Sequence, residues 1–476
     1  MKRYDWEAVF RLVSDFLYAY GTLLLLPFGV AIITADSVMT LTFGIQAGVI
    51  LLGSHIARRA LSPVGITQQH AIVALAITWS LLSLFSSVPF VVAGMPWIDA
   101  LFESFSAWTD TGLTMIPNPA LLPSSLAVFR LAMQWVSGLG IVMFVLCWRG
   151  LTPHEAQSLF QAEERFEDFS SNIRHIGRVV VTIYAGYTLA GTLALWALGI
   201  PFWEALAHAV TSLSTGGFST NSVGVGVYGA LPSLVAMILM LAGGISFGSH
   251  YALLTGKVRK FWRNPEVRIL LVIVVVSTTA LALSLRSQLN GENRVLESAF
   301  YAISAITTCG AGTTLPLSQT SSNFITIMIV LMLSGAVYGS TSGALKLWRL
   351  IILGKVVRRK IHQLFRPEAH VETIHMGNNV ISNAIVKQVG LYMILYLLLL
   401  LGGAPSMILL GYTPLHAFFT IASAQGNVGL NAMPDALYFG MPVILKIQLI
   451  VHMLLGRMEI LPMVHLLRAL RRSLGH

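Results

Sequence analysis

The sequence has little charge. Only 11% of its 476 residues are Asp, Glu, Lys or Arg, against roughly 25% in soluble domains, while 55% are hydrophobic. This scarcity excludes an ordinary soluble protein. Apolar runs long enough to cross a hydrocarbon core of ~30 Å as helices recur throughout. We predict about ten spanning helices, at 10–33, 38–57, 69–93, 126–148, 179–199, 231–254, 269–289, 323–353, 385–411 and 441–467.

Cysteine and enzyme motifs are scarce too. Only Cys147 and Cys309 are present, so no disulfide framework is available. There is no phosphate-binding glycine loop and no zinc-type Cys/His cluster, so we expect no organic cofactor. The motif "GISFG" at 244–248 resembles a nucleophile elbow, but Ser246 falls in a run that we expect to be one continuous helix. An intramembrane hydrolase is therefore disfavoured.

Lysine and arginine are absent from alternate loops, namely 94–125, 200–230 and 412–440. The basic residues behind the net charge of +10 are clustered in the other loops instead. We attribute this charge to membrane topology rather than to binding of nucleic acid. By the positive-inside rule we expect a multi-pass protein with both termini in the cytoplasm. The basic clusters are Arg58 and Arg59; Arg149, Arg165, Arg174 and Arg178; Lys257, Arg259, Lys260 and Arg263; Lys355, Arg358, Arg359 and Lys360; and Arg468, Arg471 and Arg472.

Four of the polar loops are copies of one another. They read "SAWTDTGLT" (106–114), "TSLSTGGFS" (211–219), "SAITTCGAG" (304–312) and "SAQGNVGLN" (423–431), and align on Gly112, Gly217, Gly310 and Gly429. Thirteen residues before each glycine stands a polar residue: Asp99, Glu204, Glu297 or His416. Thirteen helical residues span roughly 20 Å, only part of a bilayer. Each copy therefore predicts a spanning helix, a short re-entrant helix, a polar loop and a second spanning helix.

The repeated loops indicate an ion-selectivity filter. Non-helical backbone at membrane depth is tolerated only where it is buried in protein or lines water, so the four loops should meet on one axis. Short helices would direct their partially negative C-terminal ends at that axis, and inward carbonyls would replace the hydration shell of a cation. Glycine permits the backbone angles that this geometry needs. One such loop alone would be read as an ordinary turn. Four loops that each have a polar residue thirteen positions before the glycine favour a filter.

On these residues, and on "QWVSGLGI" (134–141), "TGGFST" (215–220) and "GRMEILP" (456–462), the sequence resembles the TrkH-like membrane subunits of the Trk/Ktr potassium transporter superfamily over nearly its whole length. The resemblance implies an all-α integral membrane fold. Four helix, pore-loop, helix repeats in pseudo-fourfold arrangement would follow two extra N-terminal transmembrane helices. The division expected is 1–66 for the extra helices, 67–155, 156–262 and 263–362 for repeats one to three, and 363–476 for repeat four.

The resemblance also implies which residues bind the ion. Glycine at the filter position of all four repeats goes with potassium in this family, and serine in some relatives goes with sodium. Asp110 and Cys309 depart from the family pattern beside the filter, which leaves potassium over sodium an inference. The implied carbonyl ligands are those of Thr111 and Gly112, Gly216 and Gly217, Cys309 and Gly310, and Val428 and Gly429.

The stretch "SGAVYGSTSGALK" (334–346) interrupts the second helix of the third repeat with small residues. Clustered Gly, Ser and Thr weaken a helix and let backbones approach closely, so a packing face is one reading. In the family, the corresponding broken helix is a gating loop under the filter. Family members with more glycine differ from this sequence, which has Ser342 and Ala344 here, and these two residues would make the loop stiffer. The implied gating residues are Gly339, Ser340, Thr341, Ser342, Gly343 and Lys346.

Four more charged residues fall within apolar runs. Arg457 and Glu459 lie deep in the last run, where ionisable residues suggest function. In the family an arginine in this motif protrudes into the pore. A contact between Arg457 and Glu459, or pairing of each with other helices, is the alternative. Arg130 and Lys446 lie toward helix ends and are expected only to snorkel.

The sequence thus predicts potassium uptake across a bacterial inner membrane through a single-chain pore, driven by the membrane potential. The resemblance adds a homodimer and a cytoplasmic nucleotide-binding regulatory subunit, TrkA-like, as partners. Coupling to sodium or protons is left open. The alternatives are a sodium-permeable or poorly selective monovalent cation transporter and, in another class, a receptor or assembly scaffold with a vestigial pore.

Overall fold

Helices form 76% of the chain that the computed structural model describes. The described residues are 6–61, 66–140, 173–288, 291–365, 374–376 and 379–458, with isolated positions up to 471. The N-terminal part is a helical hairpin. Its descending arm is interrupted briefly at Leu24, and Asp36 begins its return arm by accepting a hydrogen bond from the Met39 amide at 3.0 Å. The elements are α1 Trp6–Leu23, α2 Leu25–Ile33 and α3 Ser37–Ala60.

The first two repeats follow. Each has a long helix, a shorter one of 12 or 13 residues, an irregular loop and a second helix. In chain order the first repeat contains α4 Gln68–Ser86, α5 Val88–Val92, α6 Trp97–Trp108 and α7 Ser124–Leu139. The second contains α8 Ile173–Ala197, α9 Phe202–Ser214, α10 Ala230–Gly244, α11 Phe247–Leu254 and α12 Val258–Arg263.

The last two repeats have the same order. Between them lies a small antiparallel hairpin, in which Ile374 is opposite Ile381. The third repeat contains α13 Pro265–Ser284, α14 Gly291–Ile306, α15 Ser322–Ser334 and α16 Leu347–Gln363. After β1 Ile374–Met376 and β2 Asn379–Ile381, the fourth contains α17 Asn383–Leu409, α18 Pro414–Gln425, α19 Asp435–Phe439 and α20 Val443–Arg457. We call α6, α9, α14 and α18 the half-helices.

Six helical stretches of the described chain are long and apolar enough to cross a membrane. They are the two N-terminal arms and the first helix of every repeat: Trp6–Ile33, Ser37–Ala60, Gln69–Val92, Gly177–Ala197, Pro265–Ser284 and Asn383–Leu409. The half-helices carry the deepest burial. Phe102, Ala107 and Trp108 of α6 are almost inaccessible, whereas α13 and α17 expose Val275 and Leu398. Such helices face lipid, and the half-helices form the centre.

The expectation of a continuous span is wrong at the second helix of the second repeat, where the run 231–254 bends by 107° between α10 and α11. The run 323–353 is interrupted by non-helical backbone at 335–346, where its small residues predict a break. Glycine and serine pairs are a common cause of sharp bends, and Gly243 and Gly244 precede the bend in 231–254. The other two runs form helices up to Leu139 and Arg457, and the remainder of 126–148 lies outside the described residues, as do parts of 441–467.

The bend also corrects the reading of "GISFG". Ser246 does not lie inside a continuous helix but begins α11 as its N-cap, accepting a hydrogen bond from the Ser249 amide at 3.3 Å. Its hydroxyl pairs with that of Ser249 at 2.8 Å, while His250 binds the Ala242 carbonyl through Nε2 at 2.8 Å. Ser246 therefore has a capping role, and the strand of a nucleophile elbow does not precede it.

Candidate ion-binding filter and the segment beneath it

All four half-helices end in the same backbone turn. Two residues before each aligned glycine, a non-glycine residue adopts a left-handed conformation, with φ between 51° and 61°, at Asp110, Thr215, Thr308 and Asn427. The next amide then bonds to a carbonyl five residues back, in the pattern of a Schellman cap. These four bonds measure 2.8–3.0 Å: Thr111 to Ser106, Gly216 to Thr211, Cys309 to Ser304 and Val428 to Ser423. Four unlike sequences thus leave their half-helices along equivalent paths.

The four aligned glycines close a ring. Each has a positive φ, from 70° to 97°, and a Cβ built on any of them would lie closer than 3.0 Å to a backbone carbonyl of the next repeat. These four positions require glycine for both conformation and space. The contacts run from Gly112 to the Gly216 carbonyl, from Gly217 to Cys309, from Gly310 to Val428, and from Gly429 back to Thr111. All eight residues predicted as ligands therefore meet in one place.

One cavity of about 430 Å³ lies against the ring, on the side of the loops that follow the glycines. All four aligned glycines line it, as do Arg130 and Asp435. We call this cavity the vestibule. Because the loops of four repeats open into one space, an ion in the vestibule can reach every filter loop.

Buried amides behind the ring position two of its loops. The Gln134 side chain of α7 donates to the Gly216 carbonyl at 2.6 Å and accepts from the Phe218 amide at 3.3 Å. One of the predicted ligands therefore already accepts a protein hydrogen bond. Asn427 donates to the Thr111 hydroxyl at 3.0 Å and so joins the fourth repeat to the first.

The side chains of Asp110 and Cys309, the two residues that depart from the family pattern, are buried against the second repeat, and a Cβ built on Gly216 would lie closer than 3.0 Å to Asp110 Oδ1. The Cys309 thiol is fully buried and donates to the Thr211 carbonyl of the second half-helix at 3.7 Å. The Asp110 carboxylate is almost fully buried, with Oδ2 4.0 Å from Nη2 of Arg457. Neither side chain replaces a backbone ligand, and Asp110 provides a negative charge near the arginine.

Segment 335–346, which links α15 to α16, lies directly beneath the half-helices and is largely buried. Thr341 lies at its centre of contact with the second repeat: its hydroxyl donates toward the carbonyls of Gly243 at 3.0 Å and Leu213 at 3.3 Å. It also pairs with the Thr215 hydroxyl at 3.0 Å. A Cβ on Gly243 would come closer than 3.0 Å to the Leu213 carbonyl and 3.1 Å from Thr341 Oγ1. Thr341 thus occupies a notch that exists because residue 243 is glycine.

The rest of the segment is hydrogen-bonded to the third and the second repeat. The Gly343 amide donates to the Thr308 hydroxyl at 2.8 Å, and the Gly339 carbonyl accepts from the Phe247 amide at 3.3 Å. Ser340 and Ser342 share a hydrogen bond within the segment at 2.7 Å. Lys346 lies at its far end, where it precedes α16 with a φ of 64°.

Arg457 reaches the same segment from the end of α20. Its Nη1 donates to the Thr341 carbonyl at 3.2 Å, and its Nη2 donates to the carbonyl and hydroxyl of Ser137. The guanidinium is also 4.0 Å from Asp110 and is only 3% exposed. Arg457 therefore contacts segment 335–346 and the end of α7. Its alternative partner, Glu459, lies outside the described residues.

The expectation that Arg130 and Lys446 snorkel is wrong. Arg130 is 3% exposed and forms an ion pair with Glu103 of α6, at 2.5 Å from Nη2. Lys446 is 7% exposed and pairs with Asp99 at the start of the same half-helix, also at 2.5 Å. Burying a charge is costly unless it is paired, and each cation finds a carboxylate on α6. The sequence shows Asp99 and Glu103 four residues apart on one short helix, but it does not show which cations pair with them.

Comparison with known proteins agrees with this architecture. The family model described as "TrkH: Cation transport protein" matches residues 33–473, so the chain belongs to the TrkH family of cation transport proteins. An uncharacterized cation transporter of Methanocaldococcus jannaschii is 28% identical, over 98% of this chain and 96% of its own. The Trk system potassium uptake protein TrkH of Salmonella typhimurium is 27% identical, over 96% of this chain and 97% of its own.

A solved structure is similar over the whole fold. The crystal structure of the potassium transporter TrkH from Vibrio parahaemolyticus superimposes with a TM-score of 0.85 at 25% identity, covering 98% of this chain and 99% of that one. The family resemblance and the all-α membrane fold predicted from the sequence are thereby confirmed. The family is one of multi-pass transporters rather than enzymes.

Proposed function

We propose that this protein takes up potassium through a filter built by its own four repeats. The observation that carries the proposal is the closed ring in which each aligned glycine abuts a carbonyl of the next repeat. A ring of backbone carbonyls selects a dehydrated cation, and glycine stands at the filter position of every repeat. The potassium uptake role of the Salmonella typhimurium relative supports potassium as the substrate.

The ion ligands in this proposal are the carbonyls of the residue pairs 111–112, 216–217, 309–310 and 428–429. No coupled ion is needed for accumulation. A monovalent cation gains about 2.3 kcal/mol from each 100 mV of membrane potential, which supports roughly fiftyfold accumulation at equilibrium. Uptake driven by the potential alone is therefore sufficient, and symport with sodium or protons is not required.

Segment 335–346 and Arg457 form the gate in this proposal. The segment lies beneath the filter and is held by individual hydrogen bonds, so it can move when they break. Arg457 adds a positive charge that repels a permeating cation. A cytoplasmic nucleotide-binding subunit would open the gate, and the membrane subunit would form a homodimer in a bacterial inner membrane with both termini cytoplasmic. In this proposal residues 1–66 form the two extra N-terminal helices. Each of the other four parts, 67–155, 156–262, 263–362 and 363–476, forms one quarter of the pore.

Potential-driven uptake of potassium and of sodium into proteoliposomes tests the function. Purified wild type and the gate-weakened variant Thr341→Val are compared with empty vesicles. Potassium uptake well above sodium uptake is expected. Equal uptake of the two ions would favour the poorly selective transporter, and absence of uptake in both proteins would favour the receptor or scaffold.

A further inference from the structure

A carboxylate of the first half-helix holds the backbone that leaves the first filter loop. Glu103 is fully buried, and its Oε2 accepts hydrogen bonds from the Met115 amide at 3.0 Å and from the Thr114 hydroxyl at 2.9 Å. These residues stand two and three positions after Gly112. The position of the loop therefore depends on the position of the Glu103 side chain.

Arg130 of α7 extends this connection to the second filter loop. Its Nε donates to Glu103 Oε1 at 2.8 Å. The face of the same guanidinium lies 3.9 Å from the ring centroid of Phe218, the residue after Gly217. A cation at this distance from an aromatic face is attracted to the ring. One buried ion pair thus contacts the outgoing segments of two neighbouring filter loops.

The third repeat fastens its outgoing segment by similar chemistry. Glu297 of α14 accepts hydrogen bonds from the hydroxyls of Thr313 and Thr314, which lie three and four positions after Gly310. Among the described residues, a half-helix carboxylate therefore binds residues beyond the aligned glycine in both the first and the third repeat. The first repeat differs in carrying this contact on to a neighbouring loop through Arg130.

A buried ion pair is weak evidence for stability, because desolvation of the two charges offsets most of their attraction. Apolar residues of similar volume often replace such a pair without loss of stability. A positional role accounts better for this one. Whether a filter selects by cavity size or by carbonyl number and field strength, its selectivity depends on where the carbonyls are held.

We propose that the Glu103–Arg130 pair sets the preference for potassium over sodium by holding the first and second filter loops at their vestibule ends. Both are positioning residues, since they act on the ion through the backbone that they hold. The inference rests on the proposed filter function. It assigns selectivity to two charged side chains that are not among the proposed ion ligands.

The test is a double substitution, Glu103→Gln with Arg130→Met, which removes both charges and leaves neither one buried alone. Asp99→Asn with Lys446→Met is the matched control, because that ion pair joins the same half-helix to α20 at the same 2.5 Å separation. Reversal potentials in planar bilayers with potassium on one side and sodium on the other give the permeability ratio. A role in stability alone would lower the number of active pores without moving the reversal potential.

We expect the potassium-to-sodium permeability ratio to fall about fivefold or more in the Glu103→Gln, Arg130→Met protein, as a change of about 1 kcal/mol in the difference between the two ions would produce. The control should retain the wild-type ratio. Thr114→Val, which removes the hydroxyl that bonds to both Glu103 oxygens and to Arg130 but keeps both charges, should shift the ratio in the same direction by less. If the Glu103→Gln, Arg130→Met protein does not fold, the permeability ratio of Thr114→Val is used to test the inference.

The outcomes separate this inference from the function on which it rests. Absence of cation current from wild type and from Thr341→Val would overturn the proposed function and the inference together. A selective wild type whose ratio is unchanged by both Glu103→Gln, Arg130→Met and Thr114→Val would overturn the inference alone. An equal fall in the Asp99→Asn, Lys446→Met control would also overturn it, because any disturbance of α6 would then suffice.

Discussion

Replacing Thr341 with valine tests whether its hydroxyl holds the gate closed. Valine keeps the shape of the side chain and removes the bonds that the hydroxyl makes to Gly243, Leu213 and Thr215, while the backbone amide of residue 341 keeps its own bond to the Gly243 carbonyl at 3.1 Å. The hydroxyl donates one proton, shared between the two carbonyls, and accepts one from Thr215. At about 0.5–1.5 kcal/mol for each net hydrogen bond, the closed state should lose about 1–3 kcal/mol. The ratio of open to closed pores should therefore rise roughly 5- to 150-fold.

The assay is the open probability of single pores in planar bilayers, measured beside the thermal stability of the same protein. Ser340→Ala is the control, because the Ser340 hydroxyl bonds only to Val337 and Ser342 among its described contacts, inside the segment itself. It should change the open probability much less than Thr341→Val does. An open probability for Thr341→Val that equals the wild-type value would refute the reasoning, as would an equal rise in Ser340→Ala.

Three further predictions concern the ring and its supports. Gly310→Ser should lower the potassium-to-sodium flux ratio, because its Cβ would meet the carbonyl of residue 428, whereas Gly312→Ser should retain the ratio, since a Cβ there meets nothing closer than 3.8 Å. Arg457→Gln should raise single-pore potassium conductance by removing a positive charge beneath the filter; an unchanged conductance would count against that location. Gln134→Leu should lower the unfolding free energy by about 1–3 kcal/mol, the cost of leaving the buried Gly216 carbonyl without its donor, and denaturant titration in detergent measures it.

The filter could be predicted from the sequence because its signal is local and repeated. Glycine with threonine or asparagine stands out in an apolar chain, and four copies fix the alignment at Gly112, Gly217, Gly310 and Gly429. The half-helices could be predicted too, since a constant spacing to an upstream polar residue bounds their length. The ligand and gating roles of these residues stay predictions.

What the sequence could not provide is pairing across the fold. Hydropathy places Arg130 and Lys446 near helix ends, where snorkelling is the default, but Asp99 is 347 residues from Lys446 and no local pattern joins them. Hydropathy also carries no information on helix direction, so the run that contains the 107° bend at 245–246 has the hydropathy of an uninterrupted span. The notch at Gly243 is occupied by a residue 98 positions away, and that contact follows from the fold alone.

Closure of the ring between Gly429 and Thr111 also constrains biosynthesis. The Asn427 amide and the Thr111 hydroxyl that meet at this seam are 316 residues apart, so three quarters of the pore wall must wait in the membrane until the last quarter is translated. During that interval the first loop lacks the Asn427 side chain that bonds to Thr111. A chain that ends before residue 414 therefore has an unclosed ring instead of a smaller one. A premature stop codon late in the gene should be as damaging as an early one.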